Sequence, residues 1–146
     1  MVLTRSPTIQ RVSQRLILAL AAILQTDQTS LYLRDIMQAY TQSKTQLNRD
    51  FFVRPPAELR LKDGSILRVV KPLYGVPEAG NHWFNTYHTH HIRKLRMNQS
   101  TYDPCLFRTA SNDNSGFGIV GIQTDNTLIL CDNTFAINEA DELKKA

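Results

Sequence analysis

The sequence is poor in cysteine, with only Cys105 and Cys131 among its 146 residues. Two cysteines cannot build the disulfide framework of a small secreted domain or the four-ligand set of a structural zinc site. We therefore interpret both as reduced thiols of an intracellular protein. Internal repeats and low-complexity stretches are also missing, and 42% of the residues are hydrophobic. This composition excludes disordered and collagen-like classes and favours one globular domain.

Long hydrophobic runs are missing as well. The longest strongly apolar run, from Leu16 to Leu24, is too short to cross a bilayer. Arg15 directly precedes this run and no small-residue cleavage pattern follows it, so the layout is not that of a signal peptide. The sequence therefore predicts an intracellular protein, in the cytoplasm or the nucleus, with no membrane partner.

Acidic residues are scarce in the first 110 residues, where 15 lysines and arginines stand against 7 aspartates and glutamates. In residues 111–146 the balance reverses, with 2 basic residues against 6 acidic ones. A basic surface is compatible with a polyanionic partner such as a nucleic acid. An ordinary solvated surface explains the same imbalance, so both interpretations stay open.

Hydrophobic periodicity predicts three helices. Ser6-Pro7 is typical of a helix start, and a stripe of apolar residues at three- and four-residue steps predicts the buried face of that helix. The stripe comprises Ile9, Val12, Leu16, Ala19, Leu20, Ile23 and Leu24. A second, longer helix is predicted from Glu78 to Met97, and a third from about Asn138 to the end of the sequence. Because the chain ends within a predicted helix, we expect it to be a fragment.

Short strands are predicted between these helices, at residues 31–36, 51–53, 105–108, 117–123 and 127–130. Asp63-Gly64 lies between apolar residues 59–61 and 66–70, which predicts a hairpin that pairs these two segments. A short helix or turn is expected over 38–47 and a turn over 111–116. Together the elements predict an α+β fold with a small, mainly antiparallel sheet backed by helices.

Two aspartates stand out because their neighbours are apolar. Asp35 ends a hydrophobic strand, and Asp125 lies at the tip of a predicted hairpin. If both strands belong to one sheet, the two carboxylates converge at one end of it and offer the oxygen ligands that magnesium prefers. Strand-end capping explains Asp35 equally well, and Asp125-Asn126 is a favoured turn pair.

The ordered set of motifs is more specific than any one of them. Along the chain follow the segments RDIMQAY, FFVRPPAEL, VVKPLYGVPEAGNHWF, STYDPCLF and GIQTDNTLIL. In this order they resemble the reverse transcriptase of copia-type LTR retrotransposons, and they look most like fungal members. The resemblance extends from about Arg5 to Ala146 and is most specific between Lys71 and Phe84.

The resemblance implies a right-hand polymerase fold, of which residues 1–146 cover the palm and part of the fingers. It implies a templated DNA polymerase that uses two Mg²⁺ ions, deoxynucleotides and an RNA or DNA primer–template. Asp35 matches the metal-binding aspartate of the first palm motif, and Asp125 matches the first metal-binding aspartate of the family's Tyr-x-Asp-Asp hairpin. The thumb and RNase H regions are not in this sequence. We therefore expect an incomplete domain of a polyprotein, with the integrase and RNase H regions as its partners.

Two further motifs carry implied roles. Gln38, Ala39 and Tyr40 match the stretch that lines the incoming nucleotide, with Tyr40 as the aromatic gate against a 2′-hydroxyl. The motif that contacts the template and the nascent base pair is matched by Leu73, Tyr74, Gly75, Val76, Pro77, Glu78 and Ala79. Glu78 also suits the first turn of a helix, where the dipole favours an acidic residue.

The hairpin departs from the family pattern at two positions. Gln123 stands in place of the tyrosine and Asn126 in place of the second aspartate. Asparagine is isosteric with aspartate but neutral, so it binds a divalent ion less well. By analogy with the removal of one electrostatic stabiliser, the loss in rate is about 10²–10³-fold. We therefore expect a chain with little or no activity, and the alternative function is a non-catalytic remnant that at most binds nucleic acid.

The predicted long helix offers two other interpretations. A cellular zinc protein is one, from a cluster of histidines without a cysteine nearby in the helix: His82, His88, His90 and His91. Stacking on nucleic-acid bases is the other, through Trp83, Phe84 and Tyr87. For both sets, helical spacing is also typical of residues that pack in a core.

Overall fold

The computed structural model describes residues 6–24, 28–110 and 116–145. The helices are α1 (Arg11–Leu24), α2 (Ala79–Arg93) and α3 (Asn133–Lys144). The strands are β1 (Thr29–Asp35), β2 (Phe51–Val53), β3 (Leu67–Val69), β4 (Asn98–Gln99), β5 (Leu106–Arg108), β6 (Gly118–Gln123) and β7 (Asn126–Asp132). Short 3₁₀ turns lie at Ala39–Gln42 and Ala57–Leu59. None of the described helices is long and apolar enough to cross a membrane.

The strands form two sheets in which each strand runs antiparallel to its neighbours. One sheet has five strands in the order β1-β7-β6-β5-β4, and the other pairs β2 with β3. The predicted α+β class with a mainly antiparallel sheet is therefore confirmed.

The chain divides into two compact units. The smaller unit contains Ser6 and residues 38–86, with the two-stranded sheet; the larger unit contains residues 7–37 and 87–145, with the five-stranded sheet. Helix α2 contributes residues to both units. Each unit is described separately below.

One face of the five-stranded sheet carries most of the core of the larger unit. Because side chains alternate along a strand, residues opposite each other in the register share a face. Ile122 lies opposite Thr127 and Val120 opposite Ile129, and all four are buried. The Thr127 hydroxyl donates to the Tyr87 hydroxyl of α2 at 3.2 Å. This face is therefore covered from the side of α2.

Helix α1 and the segment before it pack on the opposite face of the sheet, against Gly121. A Cβ placed on Gly121 would overlap Ile9 and would lie 3.0 Å from Ile17 Cδ1. Ile9 and Ile17 are buried, and the Ile9 amide donates to the Ile122 carbonyl at 2.8 Å. The missing side chain of Gly121 therefore allows this close approach.

The predicted start of α1 at Ser6-Pro7 is wrong. The helix begins at Arg11, because residues before it are extended: Thr8 forms an antiparallel bridge with Gln123. The Asp103 carboxylate instead holds the helix start by accepting from the Gln10 amide at 2.9 Å and from the Cys105 amide at 3.0 Å. An acidic group at this end also complements the helix dipole.

The predicted buried stripe is correct at Ile9, just before α1, and wrong within the helix. The buried residues of the helix are Ser13 and Ile17, while Val12, Leu16 and Ile23 are exposed. From Leu16 to Leu24 the helix is apolar on nearly every side, so periodicity alone does not select a face. The close approach at Gly121 selects it.

The predicted hairpin at Asp63-Gly64 is correct as a turn and wrong as a strand pairing. Gly64 has φ 82°, and the Ser65 amide donates to the Lys62 carbonyl at 3.0 Å. However, β3 pairs with β2, with Phe51 opposite Val69. Residues 59–61 cannot extend as a strand because Arg60 has φ 47°.

Two helix boundaries differ from the prediction. Helix α2 ends at Arg93 rather than Met97, because Arg96 adopts φ 50° and turns the chain towards β4, which the sequence did not predict. Helix α3 begins at Asn133 rather than near Asn138, because Asp132 caps it by accepting from the Phe135 amide at 2.8 Å. The predicted turn over 111–116 lies largely outside the described residues.

A double-mutant cycle tests the contact at Gly121. We expect Gly121→Ala to lower the free energy of unfolding by about 1–2 kcal/mol, because overpacking exceeds the entropic benefit of alanine. Ile9→Val removes the Cδ1 atom that the new methyl group would overlap. In urea titrations the double variant should therefore be more stable than the sum of the two single effects. Additive effects would contradict the close approach.

The buried His91 makes the stability of the larger unit depend on pH. Its Nδ1–H donates to the Tyr87 carbonyl at 2.8 Å, and burial lowers the pKa of His91 to about 4, from an ordinary value of 6.5. The unfolded chain therefore takes up a proton that the folded chain rejects between these two pH values. This contribution to stability is complete above pH 6.5 and is lost as the pH falls towards 4.

We expect the His91→Phe variant to lack this pH dependence. Between about pH 7 and pH 5 the unchanged chain should lose about 2 kcal/mol more unfolding free energy than the variant. Urea titrations of both proteins at the two pH values measure the difference, and all other titrating groups are shared. Equal losses in the two proteins would show that His91 is not buried as a neutral imidazole.

Candidate active site

The larger unit brings Asp35 next to the β6–β7 hairpin. Asp35 is the last residue of β1 and lies opposite Asn126, the first residue of β7. The Ile36 amide donates to the Asp125 carbonyl at 3.0 Å, which ties the end of β1 to the hairpin tip. Directly opposite residues share a face of the sheet with Cβ atoms about 4.5–5.5 Å apart. Asp35, Asp125 and Asn126 therefore gather at one end of the sheet.

The strained backbone conformation of the hairpin is at Thr124. Strands β6 and β7 are joined by the two residues Thr124 and Asp125, and Thr124 has φ 58°. A β-branched residue in this region is strained by about 1–3 kcal/mol. Asp125 lies in this turn as the turn interpretation expects, but neither Asp125 nor Asn126 has the positive φ for which the pair is favoured.

The base of the hairpin is held by contacts from the start of the chain. Gln123 accepts through Oε1 from Gln14 Nε2 at 3.1 Å and forms the bridge with Thr8. These contacts join the hairpin to α1 and to the segment before it.

Among the described residues, no cationic side chain forms an ion pair with the Asp35 or Asp125 carboxylate at this end of the sheet. Asn126 Nδ2 lies 3.5 Å from Asp125 Oδ1, which is at the limit of a hydrogen bond. The side-chain oxygens of the three residues are hard donors, which suit a divalent cation.

An ion pair that the sequence analysis missed lies on the other face of β1. Arg34 Nη1 is 2.5 Å from Glu139 Oε1, and Glu139 is buried within α3. Burial raises the pKa of Glu139, and the adjacent Arg34 opposes that shift. Because Arg34 directly precedes Asp35, this pair attaches the end of β1 to α3. Alternation along the predicted strand was the only sequence signal for it.

The smaller unit brings together two aromatic residues from different predicted motifs. The rings of Tyr40 and Tyr74 are stacked, with centroids 4.4 Å apart and planes inclined at 30°. Ala39 beside Tyr40 is buried, and Gln38 has φ 54° at the start of the 3₁₀ turn. Residues 38–40 and the segment from Leu73 to Ala79 therefore meet through their tyrosines.

A type II turn presents Tyr74. The Val76 amide donates to the Leu73 carbonyl at 3.1 Å, and Gly75 at the third position has φ 91°, which glycine adopts without strain. Leu73, Tyr74 and Gly75 are exposed. The exposed residues of the segment from Leu73 to Ala79 are therefore those of this turn and Pro77.

The other end of that segment is buried. Glu78 and Ala79 are fully buried, and Glu78 lies just before α2 rather than in its first turn. The Asn48 amide donates to Glu78 Oε1 at 2.8 Å, and Arg49 Nε lies 3.6 Å from Oε2. The interpretation of Glu78 as a first-turn residue is therefore off by one position, and its carboxylate binds the segment before β2.

His82 extends this buried polar group. Its Nε2 lies 3.8 Å from Glu78 Oε1, and its Nδ1 shares a hydrogen bond of 2.6 Å with Thr45 Oγ1. This polar cluster thus connects the loop before β2 to the start of α2. Its members are Thr45, Asn48, Arg49, Glu78 and His82.

The structure does not support the two other interpretations of α2. His91 and His88 both lie against Phe107, with ring centroids 5.5 Å apart in each case. Within the described ranges, no three His, Cys, Asp or Glu side chains are grouped to hold a metal ion. The proposed stacking residues of α2 are all buried: Trp83, Phe84 and Tyr87.

Comparison with known proteins places the chain in a family. The family model described as reverse transcriptase (RNA-dependent DNA polymerase) matches residues 2–146. The truncated transposon Ty1-A Gag-Pol polyprotein of Saccharomyces cerevisiae is 28% identical over 76 residues, which are 52% of this chain and 6% of that protein. The transposon Ty1-DR5 Gag-Pol polyprotein of the same yeast is also 28% identical over 76 residues, or 4% of its length. No solved structure matches the chain significantly.

The matched segment thus spans only a small part of these relatives, whereas the family match spans almost all of this chain. The resemblance inferred from the order of the motifs is confirmed by both findings. The chain belongs to the reverse transcriptase (RNA-dependent DNA polymerase) family, among its copia-type retrotransposon members.

Proposed function

We propose that this chain is the palm, with part of the fingers, of a retrotransposon reverse transcriptase. Its reaction is the attack of a primer 3′-hydroxyl on the α-phosphate of a deoxynucleotide, with pyrophosphate as the leaving group. The observation that carries the proposal is the register of β1 and β7, which sets Asp35 opposite Asn126 and beside Asp125. Family membership supports the same reaction class.

The residues at this end of the sheet fit Mg²⁺. Asp35 and Asp125 would hold the metal, since both are carboxylates without an ion-pair partner among the described residues. When bound, Mg²⁺ supplies the positive charge that phosphoryl transfer requires. Asn126 keeps the shape of the third donor without its charge. We therefore propose that catalysis by this chain is weak, about 10²–10³-fold below that of a form with three carboxylates.

The smaller unit supplies positioning for the substrates in this proposal. Tyr40 faces the sugar of the incoming nucleotide, and the stacked Tyr74 keeps the ring of Tyr40 in place. The exposed turn at Leu73 and Tyr74 contacts the primer–template. Glu78 and Ala79 do not contact the primer–template directly in this proposal, because both are buried. They support the exposed turn that does.

The alternative is a non-catalytic remnant that binds nucleic acid through its basic surface. The observation that favours it is Asn126, a neutral residue at the position that pairs with Asp35. In both proposals the partners are an RNA or DNA strand and the integrase and RNase H regions of a parent polyprotein. The relatives' Gag-Pol names support that context.

Primer extension with the Asn126→Asp variant distinguishes the two functions. We expect the variant to extend a primer with Mg²⁺ or Mn²⁺ about 10²–10³-fold faster than the unchanged chain, because it regains a charged ligand. Adding Asp35→Ala should abolish that extension. Asn133→Asp is the matched control, since it makes the same change at the exposed start of α3.

Extension by the unchanged chain at the rate of the Asn126→Asp variant would contradict the proposed defect at this residue. Absence of extension by both folded proteins would favour the nucleic-acid-binding remnant. Retained binding of a labelled primer–template would then measure that second function directly.

The tyrosine stack gives a prediction about sugar selection. In the Asn126→Asp background, Tyr74→Ala should weaken discrimination against ribonucleotides by about 2–10-fold, since an aromatic pair contributes about 0.5–1.5 kcal/mol. Leu73→Ala is the matched control on the same turn. The measurement is the ratio of incorporation efficiencies for a deoxynucleotide and its ribonucleotide. An unchanged ratio in the Tyr74→Ala variant would show that the stack does not support Tyr40.

A further inference from the structure

Helix α1 carries a second apolar face that the larger unit leaves exposed. Val12 is 73% exposed, Leu16 50% and Ile23 76%, and Ala19 is exposed between them. With 3.6 residues per turn, these four residues align in one stripe, at steps of four, three and four. The buried residues Ser13 and Ile17 lie on a different side of the helix. We call the exposed stripe of Val12, Leu16, Ala19 and Ile23 the α1 seam.

The spacing of the α1 seam is that of helices that pack against another helix. Apolar residues at alternating steps of three and four form the a and d positions of a two-helix seam. A helix that is apolar on nearly all sides is normally covered on more than one of them. Here the sheet covers only the side of Ser13 and Ile17.

The seam is complementary to itself when the helix direction is reversed. Val12 and Ile23 lie equally far from the midpoint of α1, and so do Leu16 and Ala19. In an antiparallel pair, Leu16 therefore faces Ala19 of the second copy, and large and small side chains alternate along the contact. In a parallel pair, Leu16 would meet Leu16 and Ala19 would meet Ala19, which leaves a gap. A twofold axis through the seam makes the antiparallel contact closed and isologous.

Charge favours the same arrangement. Helix α1 has Arg11 and Arg15 in its first half and no basic residue in its last turn. Reversing the second helix places these arginines beside the negative end of its dipole. A parallel pair would instead align the two dipoles and bring the arginine-bearing ends together.

Further exposed apolar side chains lie on the sheet. Leu31 and Leu33 of β1 are exposed, and their alternation places them on the face that α1 covers. A specific interface buries roughly 1,200–2,000 Å² in total. These two leucines are additional apolar surface on the side of the sheet where α1 lies.

We propose that two copies of this chain associate through the α1 seam, with the two helices antiparallel. The inference does not depend on polymerase activity. The surface involved lies on α1, and the test measures dimerisation of the chain rather than primer extension.

Sedimentation equilibrium of the full chain over a concentration series tests the association. We expect a monomer–dimer equilibrium and a dissociation constant that rises at least about tenfold in the Leu16→Glu variant. Leu18→Glu is the matched control, because Leu18 is the same residue type on the same helix, 51% exposed and outside the seam. It should leave the dissociation constant within about twofold. Ile23→Glu provides a second seam variant, and circular dichroism checks that all three remain folded.

Cysteine crosslinking tests the direction of the helices. The native Cys105 and Cys131 are buried, and burial raises the pKa of each to about 12, so they do not interfere. We expect an oxidised mixture of the Val12→Cys and Ile23→Cys proteins to form heterodimers, while each protein alone crosslinks much less. Efficient crosslinking of either protein to itself would overturn the antiparallel geometry.

A monomer across the whole concentration series would overturn the proposal, and so would equal weakening by Leu16→Glu and Leu18→Glu. Loss of primer extension with unchanged association would instead count against the proposed function alone.

Discussion

The antiparallel ladder between β1 and β7 is the constraint on which the candidate site depends. In the described sheet β1 is an edge strand, and β7 is the one strand that pairs with it. A slip of one residue would move every β1 side chain to the opposite face. Asp35 would then leave the face of Asn126, and Arg34 would take its place. The ion pair of Arg34 with Glu139 opposes such a slip, because it exists only when Arg34 points towards α3.

The parts of the fold that the sequence predicted well are those that local pattern determines. Strands β6 and β7 are apolar runs on either side of a short polar link, and β2 coincides with the predicted residues 51–53. The predictions that were wrong required a choice between segments or helix sides that are equally apolar. Residues 59–61 and 51–53 both suit a strand opposite β3, and only the left-handed Arg60 decides between them. The buried side of α1 was undetermined for the same reason.

The candidate site shows a similar division. Asp35 and Asp125 could be recognised in the sequence because each is a charged residue beside apolar segments, and such a residue indicates a specific role. Glu78 was found through its motif, but its burial depends on Asn48 and Arg49, about thirty positions away in the sequence, which no local pattern joins to it. The Arg34–Glu139 pair required knowledge of the register and of the start of α3. Contacts over long sequence separation are therefore what a single sequence leaves undetermined.

Asn126 has a consequence for the metal-free protein. Three carboxylates at one end of a sheet repel each other until a cation neutralises them, and that repulsion destabilises the folded state. With an amide opposite Asp35, this protein avoids part of the repulsion. In the function proposed above, the amide that weakens ion binding therefore also makes the fold less dependent on the ion. At the proposed metal site, two carboxylates and one amide therefore repel each other less in the absence of a cation than three carboxylates would.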